Sequence, residues 1–135
     1  MLTAEAQERL TRVGPGTPMG ELMRRYWIPV RPLAQLEEED VMSIRVLGED
    51  LVLFSTRNGE LGLVGERCPH RMVMMKYGIP DEDGLRCCYH GWKFAPDGQC
   101  IDMPLEAPTN KLKDQVKIAS YPVREMGGLV WAYMG

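Results

Sequence analysis

Each of the two histidines in this chain lies close behind a cysteine, and these two pairs are its most chemically distinctive feature. Cys68 and His70 are separated by one residue, and Cys87 and His90 by two. Thiolate and imidazole groups are common ligands of transition metals in proteins, and four of them complete a metal site. The spacing therefore predicts a metal centre formed by two loops, each of which supplies one cysteine and one histidine.

Two kinds of metal centre are compatible with this ligand set. A structural zinc ion is held tetrahedrally by two cysteines and two histidines, but zinc modules usually take two ligands of the same kind from each loop. In a mixed-ligand [2Fe–2S] cluster, one iron takes both thiolates and the other takes both imidazoles. The mixed pairing in this chain favours the iron–sulfur cluster, and a zinc-stapled structural module is the alternative.

The residues around the four candidate ligands resemble a known family. Cys-Pro-His-Arg, starting at Cys68, and Cys-Cys-Tyr-His-Gly-Trp-Lys-Phe, starting at Cys87, are similar to the ligand loops of Rieske domains in non-haem iron ring-hydroxylating oxygenases. The resemblance implies a Rieske-type [2Fe–2S] cluster bound by Cys68, His70, Cys87 and His90. It also implies that four neighbouring residues support the cluster: Arg71, Tyr89, Gly91 and Trp92.

Two adjacent cysteines leave one of the four ligands undecided by spacing alone. Cys88 has the same one-residue gap to its histidine as the first pair, whereas the family pattern places the ligand at Cys87. Neighbouring residues of a strand point to opposite faces, so only one of the two thiols faces the cluster. We therefore predict Cys87 as the ligand, Cys88 as a free thiol packed on the other side, and Cys100 outside the cluster.

Length and composition are those of one small globular domain, with 135 residues, 44% of them hydrophobic and 26% charged. The net charge of −3 argues against nucleic-acid binding and mildly favours a basic docking partner. No apolar run approaches the roughly 18 residues that span a bilayer, and residues 1–12 lack the apolar segment of a secretory signal. Four cysteines without such a signal predict metal ligands and free thiols in a cytoplasmic protein.

Helix signals are confined to residues 1–30, which we predict to form a helical leader. Thr3 is expected to cap a helix over about 4–12, and Thr17-Pro18 to open a second helix that runs to Tyr26. The segment GPGTPMGELMRRYWIP, residues 14–29, resembles the N-terminal segment of phthalate-dioxygenase-like oxygenase subunits. Small Rieske ferredoxins lack such a leader.

Strand signals dominate residues 31–135. Apolar runs at 41–47, 51–55 and 61–64 predict an antiparallel meander, with turns at Gly48-Glu49-Asp50 and Asn58-Gly59. A run of four carboxylates at 37–40 predicts a solvated loop, and residues 129–133 a strand with aromatics on one face. The fold is therefore predicted to be mostly β: an antiparallel Rieske-type β-sandwich with a cluster-binding subdomain inserted at about 66–104.

Methionines at positions 72, 74 and 75 depart from the family pattern, which has small residues after Cys-Pro-His-Arg. Methionines at this density are more often packing residues than metal ligands. Respiratory Rieske proteins of high potential carry a disulfide between the two loops, and Val73 and Tyr89 occupy the matching positions here. We therefore expect a potential at the low end of the Rieske range of about −150 to +300 mV.

The resemblance implies one-electron transfer as the Rieske domain or subunit of an aromatic-compound oxygenase. The implied electron donor is a flavin/iron–sulfur reductase, and the implied acceptor is a non-haem iron catalytic domain or subunit, with a trimeric assembly. A mononuclear iron of that type needs two histidines and one carboxylate. Both histidines are assigned to the cluster, so we predict no catalytic mononuclear-iron domain and no catalytic residue in this chain. A freestanding Rieske ferredoxin is the alternative function.

Overall fold

The computed structural model describes all residues from Met1 to Gly135. Its three α-helices are α1 (Ala4–Thr11), α2 (Pro18–Met23) and α3 (Leu33–Glu38). Its strands are β1 (Trp27–Pro32), β2 (Val41–Val46), β3 (Glu49–Ser55), β4 (Leu61–Gly65), β5 (Ile79–Pro80), β6 (Leu85–Arg86), β7 (Lys93–Phe94), β8 (Cys100–Asp102), β9 (Ser120–Tyr121), β10 (Val123–Met126) and β11 (Leu129–Tyr133). Two short 3-10 helices cover Met75–Tyr77 and Leu112–Gln115. No helix combines the length and the hydrophobicity needed to cross a membrane.

The strands form three sheets in which all pairings are antiparallel. The terminal sheet has the order β1-β11-β10, the central sheet β2-β3-β4-β9, and the insert sheet β5-β6-β7-β8. β4 and β9 are neighbours in the central sheet, although the whole insert sheet lies between them in sequence. The prediction of a mostly β, antiparallel fold is confirmed. The insert sheet lies within the predicted subdomain at 66–104, and the predicted boundary after residue 30 falls inside β1.

Both leader helices form where capping residues predict them. The Thr3 hydroxyl accepts from the Ala6 N–H at the start of α1, and the Thr17 hydroxyl accepts from the Gly20 N–H at the start of α2. α2 ends at Met23 rather than at Tyr26, because i→i+3 hydrogen bonds tighten its last turn and lead the chain into β1.

The C-terminal end of α2 is tied to both larger sheets by Arg24. Its largely buried guanidinium pairs with Glu49 at the start of β3, and Glu49 also accepts from the Tyr121 hydroxyl. Arg24 also donates to the Met134 carbonyl just after β11. One polar network therefore holds the leader, the central sheet and the terminal sheet together.

The predicted meander is formed by β2, β3 and β4, with one difference at its first turn. Leu47 and Gly48 have φ angles of 47° and 80° and form a two-residue connection, so β3 begins at Glu49 rather than at residue 51. Two successive positive φ angles match the right-handed twist of the flanking strands. The second turn contains the Asn58-Gly59 pair as predicted, with Gly59 at φ 83°.

Two elements depart from the sequence-based prediction. β1 pairs with β11 although it contains two prolines, which is compatible with its place at the edge of the terminal sheet. The carboxylate run at 37–40 is exposed as predicted, but Glu37 and Glu38 belong to α3 and not to a loop. α3 forms there because Leu36 is buried beneath it.

Two separate hydrophobic cores fill the fold. The first core contains the buried cysteines of both candidate ligand loops, and its other large members include Phe54, Met75, Trp92 and Phe94. The second core lies under the terminal sheet and includes Leu36, Leu53, Val130 and Ala132. Burial alternates along β11, which leaves Trp131 and Tyr133 on the outer face of the sheet as predicted.

Candidate metal centre

The first ligand loop runs from Cys68 to Val73 and follows the central sheet. The Cys68 N–H donates to the Val73 carbonyl at 2.9 Å, and the Met72 N–H donates back to the Cys68 carbonyl at 2.8 Å. These bonds close a compact turn in which Cys68 is buried and His70 is exposed. Met72 completes the turn with a φ of 62°, in the left-handed region.

The second ligand loop runs from Cys87 to Trp92 and connects β6 with β7. The Cys87 N–H donates to the Trp92 carbonyl at 2.8 Å, and the Gly91 N–H donates back to the Cys87 carbonyl at 3.1 Å. Cys87 and Trp92 are buried and His90 is half-buried. Gly91 has a φ of 76°, and a Cβ at this position would lie 2.9 Å from the Pro104 side chain. The turn therefore needs glycine here.

The two loops share one hydrogen-bonding pattern. In each, the cysteine donates to the carbonyl five residues later, and a left-handed residue four positions after the cysteine donates back. The left-handed residues are Met72 and Gly91. This conformation costs an L-residue about 1–2 kcal/mol and costs glycine almost nothing. The first loop therefore carries backbone strain that the second avoids.

Relief of this strain is testable at position 72. The Met72 side chain is 61% exposed, so Met72 is not the packing residue that the sequence suggested. Met75, in contrast, is fully buried. Met72→Gly should raise the free energy of unfolding by roughly 0.5–1 kcal/mol, since relief of strain exceeds the added freedom of the unfolded chain. Urea denaturation followed by circular dichroism measures this difference. Met72→Ala is the matched control, because it removes the side chain and keeps the strain. Equal stability of the two variants would contradict the strain interpretation.

The thiols of Cys68 and Cys87 lie side by side in the first core. Burial raises the pKa of the Cys68 thiol to about 11, and the neighbouring Cys87 thiol adds to the rise. The backbone N–H groups of His70 and Arg71, close to the Cys68 sulfur, lower this pKa and act in the opposite direction. Two adjacent buried thiols ionise together only when a cation compensates their charge, and a bound metal provides one.

The two imidazoles form a second pair on the outer side of the thiols. The ring centroids of His70 and His90 are 4.7 Å apart. The indole of Trp92 stacks on the His70 ring at 4.2 Å, and the Tyr89 ring lies 3.8 Å from the His90 ring. The Nδ1 atom of His90 is buried and has no hydrogen-bond partner in the protein. An unpartnered buried nitrogen is costly unless it binds a ligand, and a metal ion is such a ligand.

These donors fit a two-iron cluster better than a single ion. The donors form a thiol pair and an imidazole pair, and a Rieske cluster places one pair on each iron. The paired thiols, once deprotonated, and the unpartnered His90 nitrogen are the groups that such a cluster would bind.

The remaining predicted residues surround the site in different ways. Arg71 and Tyr89 are exposed, whereas Trp92 is buried. Cys88 is also exposed, so the prediction that it packs against the opposite side was wrong. β6 ends at Arg86, and Cys88 therefore lies in the turn and not on a strand. Cys100 is buried in β8 with its sulfur 3.6 Å from the Asp102 carbonyl.

An ion-pair network beside the second loop was not predicted. Arg86 donates to Asp102 at 2.8 Å and to Asp81 at 3.0 Å, and Lys93 pairs with Asp83 at 2.7 Å. The Glu82 N–H, followed by the Arg86 guanidinium, lowers the pKa of Asp81 to about 2. Opposite charges on neighbouring short strands are the signal for such a network, but the signal is readable only once the strand pairing is known.

The family model described as the Rieske [2Fe-2S] domain matches residues 26–122. The chain is 50% identical to the 5,5'-dehydrodivanillate O-demethylase oxygenase subunit of Sphingobium sp. (strain NBRC 103272 / SYK-6), over 100% of this chain and 32% of that protein. It is 45% identical to the phthalate 4,5-dioxygenase oxygenase subunit of Pseudomonas putida, over 100% of this chain and 31% of that protein. The chain thus spans about a third of the length of these relatives.

Solved structures show the same fold. NdmA of Pseudomonas putida CBB5 superposes with a TM-score of 0.74 at 27% identity, over 85% of this chain and 36% of that chain. An oxygenase–ferredoxin complex of carbazole 1,9a-dioxygenase superposes with a TM-score of 0.68 at 29% identity, over 83% of this chain and 29% of that chain. The resemblance that the two ligand loops suggested is therefore confirmed by independent comparisons of sequence and of structure.

Proposed function

Because this chain belongs to the Rieske [2Fe-2S] domain family, we propose that it transfers single electrons within an oxygenase that acts on an aromatic compound. The cofactor of this family is a Rieske-type [2Fe–2S] cluster, which takes up and releases one electron when bound. The observation that carries the proposal is the meeting of a buried thiol pair with an imidazole pair on two loops of identical hydrogen bonding. Its relatives are oxygenase subunits, which supports the aromatic-oxygenase setting.

In this proposal Cys68, His70, Cys87 and His90 are the cluster ligands. The thiols are buried and His70 is exposed, so the imidazole side is the part of the site closest to solvent. The buried Trp92 packs against the core side of the site by stacking on the His70 ring. Electron-transfer partners would therefore approach the surface around His70.

The partners are a further part of the proposal. We propose a flavin/iron–sulfur reductase as donor and a catalytic non-haem iron domain or subunit as acceptor, in a trimeric assembly with that catalytic part. The relatives' description as oxygenase subunits and the solved oxygenase–ferredoxin complex support a multicomponent system. Both histidines meet at the candidate cluster, so oxygenation is assigned to residues outside these 135. A cytoplasmic location is proposed because the cysteines are free thiols, which reducing compartments preserve.

The decisive experiment is metal analysis combined with electron paramagnetic resonance of anaerobically purified protein. We expect a red-brown protein with iron and acid-labile sulfide in equal amounts. Reduction with dithionite should bleach the visible bands and give a rhombic signal whose average g value lies below that of the free electron. Stoichiometric zinc without iron would overturn the proposal and favour the structural module. A cluster-bearing monomer that shuttles between two other proteins would favour the ferredoxin alternative.

A further inference from the structure

An arginine stands immediately before the cysteine of each ligand loop, and each arginine bonds to its own loop. Nη1 of Arg67 donates to the Met72 carbonyl at 3.2 Å, and Nη1 of Arg86 donates to the Gly91 carbonyl at 2.8 Å. In both cases the acceptor lies five residues after the arginine and is the left-handed residue of the turn. The two loops therefore also share a hydrogen bond from the side chain of the preceding arginine to the carbonyl of the left-handed residue.

The two arginines differ in how firmly they are held. Arg86 is 27% exposed and is fixed by two carboxylates, with Nη1 2.8 Å from Asp102 and Nη2 3.0 Å from Asp81. Arg67 is 49% exposed, and its one ion pair joins it to the adjacent Glu66 at 3.3 Å. A guanidinium with several short bonds in fixed directions loses less freedom for each bond that it forms. Arg86 is therefore fixed more firmly than Arg67 and restrains its ligand loop more strongly.

The hydrogen bond from Arg86 holds the part of the second loop that carries His90 and that contacts His70 through Trp92. Gly91 follows the candidate ligand His90 and precedes Trp92, whose indole stacks on the His70 ring. A shift of the Gly91 carbonyl would therefore displace His90 directly and His70 through Trp92. The Gly91 position has little room to adjust, since Pro104 packs against it.

We propose that Arg86 is a positioning residue for the cluster, which fixes the second ligand loop through the Gly91 carbonyl, and that Arg67 is its weaker counterpart on the first loop. This inference rests on the proposed electron-transfer function. It assigns Arg86 two separable effects. Its bond geometry holds the imidazoles in place, and its positive charge favours the reduced, more negative form of the cluster.

Three substitutions and one control separate these effects. Arg86→Gln removes the charge and the multiple bonding, whereas Arg86→Lys keeps the charge and loses the planar fork. Arg67→Gln tests the first loop. Arg45→Gln is the matched control, since Arg45 forms an exposed ion pair with Asp50 on the central sheet at 3.2 Å. The readouts are the rate of chelator-induced bleaching, the midpoint potential and the resonance spectrum of the reduced protein.

Arg86→Gln is expected to bleach roughly tenfold faster than the unmodified protein, with a lower midpoint potential and an altered rhombic signal. Arg86→Lys should also bleach faster and alter the signal, but with a smaller fall in potential. Arg67→Gln should show a smaller acceleration, and Arg45→Gln none. If Arg86→Gln does not accumulate in folded form, Asp102→Asn, which removes one holder of the guanidinium, should also bleach faster and alter the signal, at reduced size. Its midpoint potential should rise rather than fall, because a negative charge beside the site is lost.

Unchanged bleaching and signal in Arg86→Lys would overturn the positioning role. If Arg67→Gln accelerated bleaching as much as Arg86→Gln, the proposal that Arg67 is the weaker of the two positioning residues would be overturned. Absence of a Rieske signal from the unmodified protein would instead contradict the proposed function, so the two failures are distinguishable.

Discussion

Cys87→Ser is expected to abolish the visible absorption of the protein and nearly all of its bound iron, whereas Cys88→Ser should keep both. The two residues are adjacent, yet Cys87 is 4% exposed and contacts the Cys68 thiol, while Cys88 is exposed. A cluster that joins two loops requires the thiol that faces the other loop. Loss of that ligand also removes the free energy of cluster binding from the folded state.

The comparison uses the adjacent pair as its own control. Visible absorption, iron content and the urea midpoint are measured for both serine variants beside the unmodified protein. Cys88→Ser should match the unmodified protein in all three, because an exposed side chain of nearly the same size is replaced. A colourless Cys88→Ser protein beside a coloured Cys87→Ser protein would show that the ligand is Cys88.

The candidate ligands could be found from the sequence because their chemistry is local. A cysteine one or two residues from a histidine is visible without any knowledge of the fold, and chain geometry keeps such a pair close together. The family pattern selected Cys87, and alternation along a strand was expected to turn Cys88 away from the cluster. Cys87 instead follows the last residue of β6 and opens a turn. In the structure the turn places the Cys87 thiol in the core and the Cys88 thiol at the surface.

Long-range pairing explains the elements that were not predicted. β1 owes its strand conformation to β11, where Trp27 pairs with Tyr133, more than a hundred residues away. Two prolines in β1 read locally as helix terminators, and only the edge position makes them acceptable in a strand. The hairpin between β3 and β4 could be predicted because Asn58-Gly59 lies between its two strands.

The contacts of Arg67 and Arg86 at the site also depend on the folded structure and could not be predicted from the sequence. Arg86 and Asp102 are sixteen positions apart in sequence, and they meet because Lys93 pairs with Asp102 across β7 and β8 while β6 pairs with β7. Arg-Cys occurs twice in the chain, at 67–68 and at 86–87, and this repetition is visible in the sequence. Its meaning depends on the bonds from the arginines to Met72 and Gly91, which the folded loops bring within reach.

Removal of iron is expected to open the ligand loops and the insert sheet while the terminal sheet stays folded. β5, β6 and β7 have two residues each and β8 has three, so these strands have little stability of their own. The first core, on which they depend, contains Cys68, Cys87 and Trp92 from the ligand loops. The second core contains no candidate ligand and is held by α3 and longer strands.

Hydrogen exchange of the chelator-treated protein, followed by mass spectrometry, measures this difference. Amides of the second loop, among them those of Cys87 and Gly91, should exchange roughly a hundredfold faster than in the iron-loaded protein. Amides of β11 should change little. Cys88→Ser treated with the same chelator should behave like the unmodified protein, and untreated Cys87→Ser should already resemble the iron-free state. Equal acceleration in the insert sheet and in β11 would show instead that the two cores unfold as one cooperative unit, with the cluster stabilising the entire chain.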